Sequence, residues 1–280
     1  MSQKPVGLQL YTLRNETAKD FRGTLTRVAE MGYQGVELAG NGGLSADEML
    51  RVLEETGLKV YGSHVGLDQL ERNLAEVISY HKKIGCEFLV CPWLPEDRRP
   101  DGHSYRRLGR MLTELGRACA DAGLQLCYHN HDFEFHLFDG AYGLDLLFAA
   151  ADARFVQAEL DLYWVKYAGL DPVEYLKRLK GRCPLVHLKD MAADGGFTEV
   201  GEGTQDWPGI FAAAEAAGVR YYVVEQDDCR YPPLESVRIS LENLRRMEHV
   251  SIHTKRPPGY FARTVGLGQD HSPQSSGRSR

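Results

Sequence analysis

Amphipathic stretches that end at glycine or another turn residue alternate along the chain with short apolar runs that end in a polar side chain. The pattern is plain in "MGYQGVELAG" and "TGLKVYGSHVG", and continues in "IGCEFLVCPW", "AGLQLCYHNHDFEF", "ARFVQAELDLYW", "CPLVHLKDM" and "AGVRYYVVEQDD". With "VGLQLYTLR" at the front, eight strands are expected. Their apolar stretches are nearly continuous, as strands of a parallel sheet covered by helices require. The polar residues closing strands two to eight fall near positions 37, 64, 91, 129, 161, 187 and 225. Each interval of 26 to 38 residues holds a helix and two loops, enough for a parallel crossover. Eight such units predict an α/β fold of the (β/α)8 type. A doubly wound sheet is the structural rival, but it usually carries a glycine-rich phosphate loop after its first strand, and "LQLYTLRNE" has none.

Helix boundaries agree with this reading. Ser45 and Glu48 form a capping-box pattern ahead of "MLRVLEETG", with Gly57 as the stop. Asp171-Pro172 and Asp206-Trp207-Pro208 place a cap and then proline at helix starts. "SVRISLENLRRM" predicts a last helix closing the barrel near Met247. Residues 1–249 are therefore expected to form one barrel domain. Residues 250–280, rich in Pro, Gly, Ser and Arg, are expected to be a flexible tail.

Composition narrows the class. The chain has 280 residues and a net charge of −6; the tail carries +4, leaving −10 on the remainder. So acidic a body argues against electrostatic capture of nucleic acid. No apolar run is long enough for a transmembrane helix, and the start lacks a basic segment followed by an apolar one, so neither membrane span nor signal peptide is expected. Cys86, Cys91, Cys119, Cys127, Cys183 and Cys229 form no CxxC pair and mostly lie in apolar runs, which fits reduced thiols in a cytoplasmic protein. A thiol-based zinc site is not expected. Homo-oligomerisation is left open.

In a (β/α)8 barrel the side chains at the C-terminal strand ends converge on one mouth. Here they include Glu37, His64, His129, Asn130, His131, Asp161, His187, Lys189 and Glu225. Buried charges need compensation, and a divalent cation held by carboxylates and imidazoles provides it. Asp161, His187 and Glu225, each closing an apolar run, would join a residue from strand five in a mixed N/O site. Such a site suits Mn²⁺, Co²⁺, Zn²⁺ or Fe²⁺ better than Ca²⁺.

The ordered set "YHNHDFEF", "LDLYWV", "HLKDM", "VGEGTQDWPGIF" and "VVEQDD" resembles the sugar phosphate isomerase/epimerase superfamily of xylose isomerase-like TIM barrels, from about Val6 to Met247. The resemblance implies a metal set of strand-five Glu, strand-six Asp, strand-seven His and strand-eight Glu. The last three become Asp161, His187 and Glu225. At strand five this chain departs from the pattern, with His129-Asn130-His131 in place of the usual Glu. His129 is favoured as fourth ligand because it precedes Asn130 as the Glu precedes Asn; His131 would then face the substrate, and the reverse assignment stays open.

The expected activity is metal-dependent isomerisation or epimerisation of a small carbohydrate. A base (Glu225, His131 or Lys189) would remove the proton next to a carbonyl to give an enediolate. The "HNHDFEF" variant resembles members linked to inosose dehydration and keto-sugar glycoside cleavage, so elimination by the same route is the alternative. Glu37, His64 and Asn130 would contact hydroxyls, and Trp93 and Tyr11 would stack on a sugar face. Glu134 would lie opposite His131 if the strand continued, unless a turn redirects it. Glu199 to Gly203 reads as a flexible loop over the mouth. More distant alternatives are an endonuclease IV-like phosphodiesterase, disfavoured by charge, and a non-catalytic sugar-binding barrel, disfavoured by the intact ionisable set.

Overall fold

Eight parallel strands close into a barrel in the computed structural model, which describes residues 4–247 and 250–251. They are β1 (Lys4–Gln9), β2 (Gly35–Ala39), β3 (Lys59–His64), β4 (Phe88–Cys91), β5 (Gln125–His129), β6 (Val156–Asp161), β7 (Leu185–Leu188) and β8 (Tyr221–Val224). Each pairs with the next, and β8 pairs back onto β1, with Val6 opposite Tyr222 and Leu8 opposite Val224. That last pairing excludes the doubly wound sheet, which has open edges. The strands end within two residues of the positions expected from the sequence.

Helices cover the outside: α1 (Arg14–Lys19), α2 (Phe21–Met31), α3 (Ala46–Thr56), α4 (Leu67–Lys83), α5 (Gly102–Asp121), α6 (Gly143–Ala150), α7 (Leu162–Tyr167), α8 (Pro172–Arg178), α9 (Trp207–Ala217) and α10 (Pro233–Arg246). The caps are those the sequence announces. Ser45 and Glu48 close a reciprocal capping box on α3, and Gly57 ends it at φ 71°. The carboxylates of Asp171 and Asp206 accept the N–H groups of Val173 and Gly209. Val250–Ser251 pair with Lys4–Pro5 in a short parallel extension, within the stretch expected to be tail; residues 252–280 lie outside the described residues.

Strand periodicity sorts side chains between two environments. Outward positions such as Val36, Leu126, Val156, Leu160 and Val186 pack under the helices in the main core. Inward positions form a separate cluster of Phe88, Val90, Cys127, Leu185 and Val223, with Tyr221 against it. Each large aliphatic or aromatic side chain fully buried in this way stabilises the fold by roughly 1.5–3 kcal/mol. Nearer the C-terminal end the inward positions become Glu37, His129, Glu159, Asp161 and His187, all buried. The apolar plug is thus the floor of an ionisable layer. Gly62 on β3 makes room for it, because a Cβ there would lie 2.3 Å from Glu37 Oε1.

The segment after β5 departs from the extended reading. The strand stops at His129, and residues 133–135 turn in a 3-10 helix. The turn folds Glu134 back, so that its carboxylate accepts the Tyr128 hydroxyl at 2.6 Å and the His131 N–H at 2.8 Å. His131 reaches the mouth through this turn rather than by strand alternation.

Helix α5 packs closely on α6, and Gly109 sits at their contact, where a Cβ would meet Leu147 O at 2.3 Å. Gly109→Ala is expected to lower stability in urea unfolding by about 1–3 kcal/mol, since neither backbone can yield cheaply. Ser45→Ala, which removes one side of the capping box, is expected to cost about 1 kcal/mol in the same assay.

Candidate functional site

Two tiers of ionisable side chains stand at the C-terminal end of the barrel. Strand β6 supplies one member to each, because Glu159 and Asp161 are two residues apart and share a face. Register fixes their neighbours: His129 lies opposite Glu159, and Asp161 opposite His187.

In the upper tier, Asp161 Oδ1 accepts the N–H groups of Tyr163 (2.8 Å) and Trp164 (3.1 Å), capping α7. Its other oxygen, Oδ2, is buried and ion-paired to Lys189. Oδ2 faces Lys189 Nζ at 2.9 Å, and His129 Nε2 and His187 Nδ1 at 3.9 Å each. Glu225 Oε2 lies 2.8 Å from His187 Nδ1 and 2.8 Å from Lys189 Nζ. Lys189 has a third carboxylate partner in Asp227, at 2.8 Å. One ligand atom from each of His129, Asp161, His187 and Glu225 lies within 4.8 Å of all the others.

In the lower tier, Glu37 Oε2 accepts Gln9 Nε2–H at 2.8 Å and faces His187 Nε2 at 2.7 Å and His64 Nε2 at 3.2 Å. Glu159 Oε2 faces His64 Nε2 at 2.9 Å, and His129 Nδ1 and His187 Nε2 at 3.3 Å each.

Burial opposes every charge in this region, and neighbours decide which survive. Burial draws His187 towards the neutral form, but Glu159, Glu225 and Glu37 overcome it and hold its pKa well above the usual value. Burial acts likewise on His64, where Glu37 and Glu159 prevail and lift the pKa to about 10. Glu159 is pushed up by burial and by the charge of Glu37. His131 has no carboxylate ion pair among the described residues; burial and the Lys189 ammonium outweigh the pull of Glu225 and depress it to about 3, leaving a neutral ring.

A cavity of 560 Å³ opens above the tiers. It is lined by Tyr11, Trp93, His64, His129, His131 and Glu225, with Asp227 at the side. Tyr11 and Trp93 are about half exposed, so their rings are available to a ligand. His131 stacks on Phe133, and its Nδ1 is buried without a partner.

Three sequence expectations change here. Glu37, expected at substrate hydroxyls, is fully buried below His64 and committed to Gln9 and two imidazoles. Asn130, also expected at substrate, faces β6: its amide donates to Asp161 O at 3.3 Å and accepts Asp161 N–H at 3.0 Å. The stretch from Glu199 to Gly203, expected to be a flexible loop over the mouth, is held from below by Asp190. That carboxylate accepts the N–H groups of Gly201, Gly203 and Gln205 and the Trp207 indole N–H.

Glu159 and Asp227 escaped the sequence reading. Each carried a signal, since Glu159 precedes Asp161 by two residues on one strand and Asp227 follows Glu225 by the same interval. On β6 an acid at that spacing shares the site's face, whereas Asp227 lies beyond the end of β8 and meets the site through Lys189.

Comparison with known proteins agrees with this architecture. The family model described as xylose isomerase-like TIM barrel matches residues 25–247. An inosose dehydratase of Geobacillus kaustophilus is 26% identical over 269 residues, covering 80% of this chain and 86% of the relative. The rhizopine catabolism protein MocC of Rhizobium meliloti is 27% identical over 263 residues, covering 80% of each. Among solved structures, a sugar phosphate isomerase/epimerase from Parabacteroides distasonis superposes with a TM-score of 0.77 at 25% identity, over 90% of this chain and 96% of that one. A 3-keto-D-glucoside 4-epimerase from E. coli shares the fold with a TM-score of 0.67 at 20% identity, over 88% and 100%. With the model matching most of its length and the barrel closed as the family requires, this chain belongs to the xylose isomerase-like TIM barrel family.

Proposed function

We propose that this protein is a divalent-metal-dependent enzyme that removes a proton next to the carbonyl of a small polyhydroxy ketone or sugar. The observation that carries the reading is the convergence of Asp161, His187, Glu225 and His129 beside the cavity. The residues fit a metal ion: Asp161 Oδ2 is buried with a nitrogen of His129 and one of His187 each 3.9 Å away, and the donors are the mixed carboxylate and imidazole set that Mn²⁺, Co²⁺, Zn²⁺ or Fe²⁺ accepts. A cation bound there would act as a Lewis acid on the substrate carbonyl and raise the acidity of the neighbouring C–H.

The chain's own groups supply the rest. His131 is the favoured base: it is neutral, it lines the cavity, and its Nδ1 has no competing partner. Glu225, on the same wall, is the second candidate. Lys189 was a third at the sequence level, but its ammonium is fully buried among Asp161, Glu225 and Asp227. Its role in this reading is to balance their charge, not to carry a proton. Asn130 fixes the backbone of Asp161 and so aims its carboxylate. Trp93 and Tyr11 offer apolar faces to the C–H side of a sugar ring.

Once the enediolate forms, returning the proton gives isomerisation or epimerisation, and expelling a β-hydroxyl gives dehydration. The curated relatives named inosose dehydratase favour elimination from a cyclic polyol ketone as the second reading.

The test is proton exchange in D₂O with Mn²⁺-loaded protein and a panel of ketoses, inososes and keto-glycosides, followed by NMR. Deuterium is expected next to the carbonyl of at least one of them, and no exchange across the panel would overturn the proposal. His187→Ala is expected to lose both bound metal and exchange, measured by elemental analysis and NMR. His131→Asn is expected to retain metal while kcat falls by about 10²–10⁴-fold, the usual contribution of a general base.

A further inference from the structure

A second cavity, of 390 Å³, lies between the C-terminal ends of β2 and β3 and the helix α4. We propose that it is a separate ligand site that takes a neutral polyhydroxy compound, a sugar or a cyclitol. Its size falls in the range of small-molecule sites, about 300–1,000 Å³. Nothing in this assignment depends on the reaction proposed above.

Two buried polar groups form its floor. Ser63 on β3 and His81 on α4 are 2% and 8% exposed, and both line the cavity. His81 Nδ1 lies 2.7 Å from the Val77 carbonyl oxygen, which can only accept, so that nitrogen carries the ring proton. Burial lowers the His81 pKa against the pull of this hydrogen bond, which keeps the ring neutral and Nε2 an acceptor. The Ser63 hydroxyl therefore donates to His81 Nε2, at 2.9 Å. With its proton committed, Ser63 Oγ keeps lone pairs for the O–H of a ligand.

The wall above offers hydrogen bonds of both senses. Gln69, Asn73, Glu76 and Tyr80 stand at i, i+4, i+7 and i+11 of α4, one face of a helix, and all line the cavity. The amides of Gln69 and Asn73 and the carboxylate of Glu76 have no side-chain partner among the described residues. Leu38, Val65 and Val77 put apolar surface between these groups. A sugar ring presents C–H faces and O–H edges together, and this mixture matches it.

Charge selects against anions. Among the described residues neither lysine nor arginine lines the cavity. His64, at its edge, already faces Glu37 at 3.2 Å and Glu159 at 2.9 Å. A phosphate or carboxylate would meet Glu76 without a counter-charge.

Strand alternation separates this cavity from the larger one. Ser63 lines the outer cavity alone, whereas His64, the next residue of β3, lines both.

The test is methyl NMR of the full chain labelled at Ala, Leu and Val, titrated with myo-inositol, D-glucose and, as an anionic control, glucose 6-phosphate. The Leu38, Val65 and Val77 methyls report the outer cavity, and the Ala39 methyl reports the inner one. Saturable shifts at the outer methyls are expected with at least one neutral probe and not with the phosphate ester, and they are expected to persist in Asp161→Asn. Gln69→Trp and Asn73→Trp place a ring in the outer cavity from exposed positions of α4, and each is expected to weaken binding at least about tenfold. Either variant suffices if the other misfolds. No saturable shift with either neutral probe, undiminished binding in a folded tryptophan variant, or equal binding of the phosphate ester would overturn the proposal. Outer shifts that arise only with those of Ala39 and vanish in Asp161→Asn would overturn the separateness of the site.

Discussion

The organising constraint in this protein is the burial of four carboxylates, Glu37, Glu159, Asp161 and Glu225, at one end of a barrel whose deeper inward positions form an apolar plug. Ionised carboxylates are not tolerated in such surroundings unless positive charge and hydrogen bonds meet them. Lys189 answers the upper pair, and His64 and His187 face the lower pair. A barrel that closes only through parallel strands delivers these side chains to a common centre. The same closure denies them the water that would otherwise screen their repulsion.

Much of the surrounding structure holds this arrangement in place. Asn130 ties the end of β5 to the backbone of Asp161. Asp161 divides its carboxylate, using one oxygen to cap α7 and leaving the other to the centre. Glu134 turns the chain after His129 so that His131 comes to the cavity instead of continuing outward. Asp190 gathers five N–H donors among the described residues and fixes the segment after β7. A chain with such supports behind its reactive side chains keeps donor atoms in geometry before any ligand arrives, which is where preorganised sites gain their strength.

A layered charge distribution also explains why the cavity wall differs so much from what lies behind it. The groups that line the cavity include half-exposed aromatic rings and the neutral His131, whereas Asp161, His187 and Lys189 are fully buried. A polyhydroxy ligand therefore meets rings and an imidazole at the entrance and a strongly polar floor beneath. Substrate contact and charge organisation are separate tasks assigned to successive inward positions of the same strands.

The eight strands, their ends and the helix caps were legible in the sequence because local periodicity and local capping chemistry produce them. Asp161, His187 and Glu225 were legible for the same reason, as polar residues that close apolar runs. Depth was not legible. Glu37 and His64 look equivalent in sequence as polar residues after apolar runs, yet β2 continues to Ala39 and its register sets Glu37 beside Gly62 and Ala39 beside His64, which puts Glu37 beneath His64. Nor did the chain reveal that Asn130 faces β6, that Lys189 is enclosed by three carboxylates, or that Asp190 pins the glycine-rich segment. Those outcomes depend on register between strands far apart in sequence, and register is decided by closing the whole barrel.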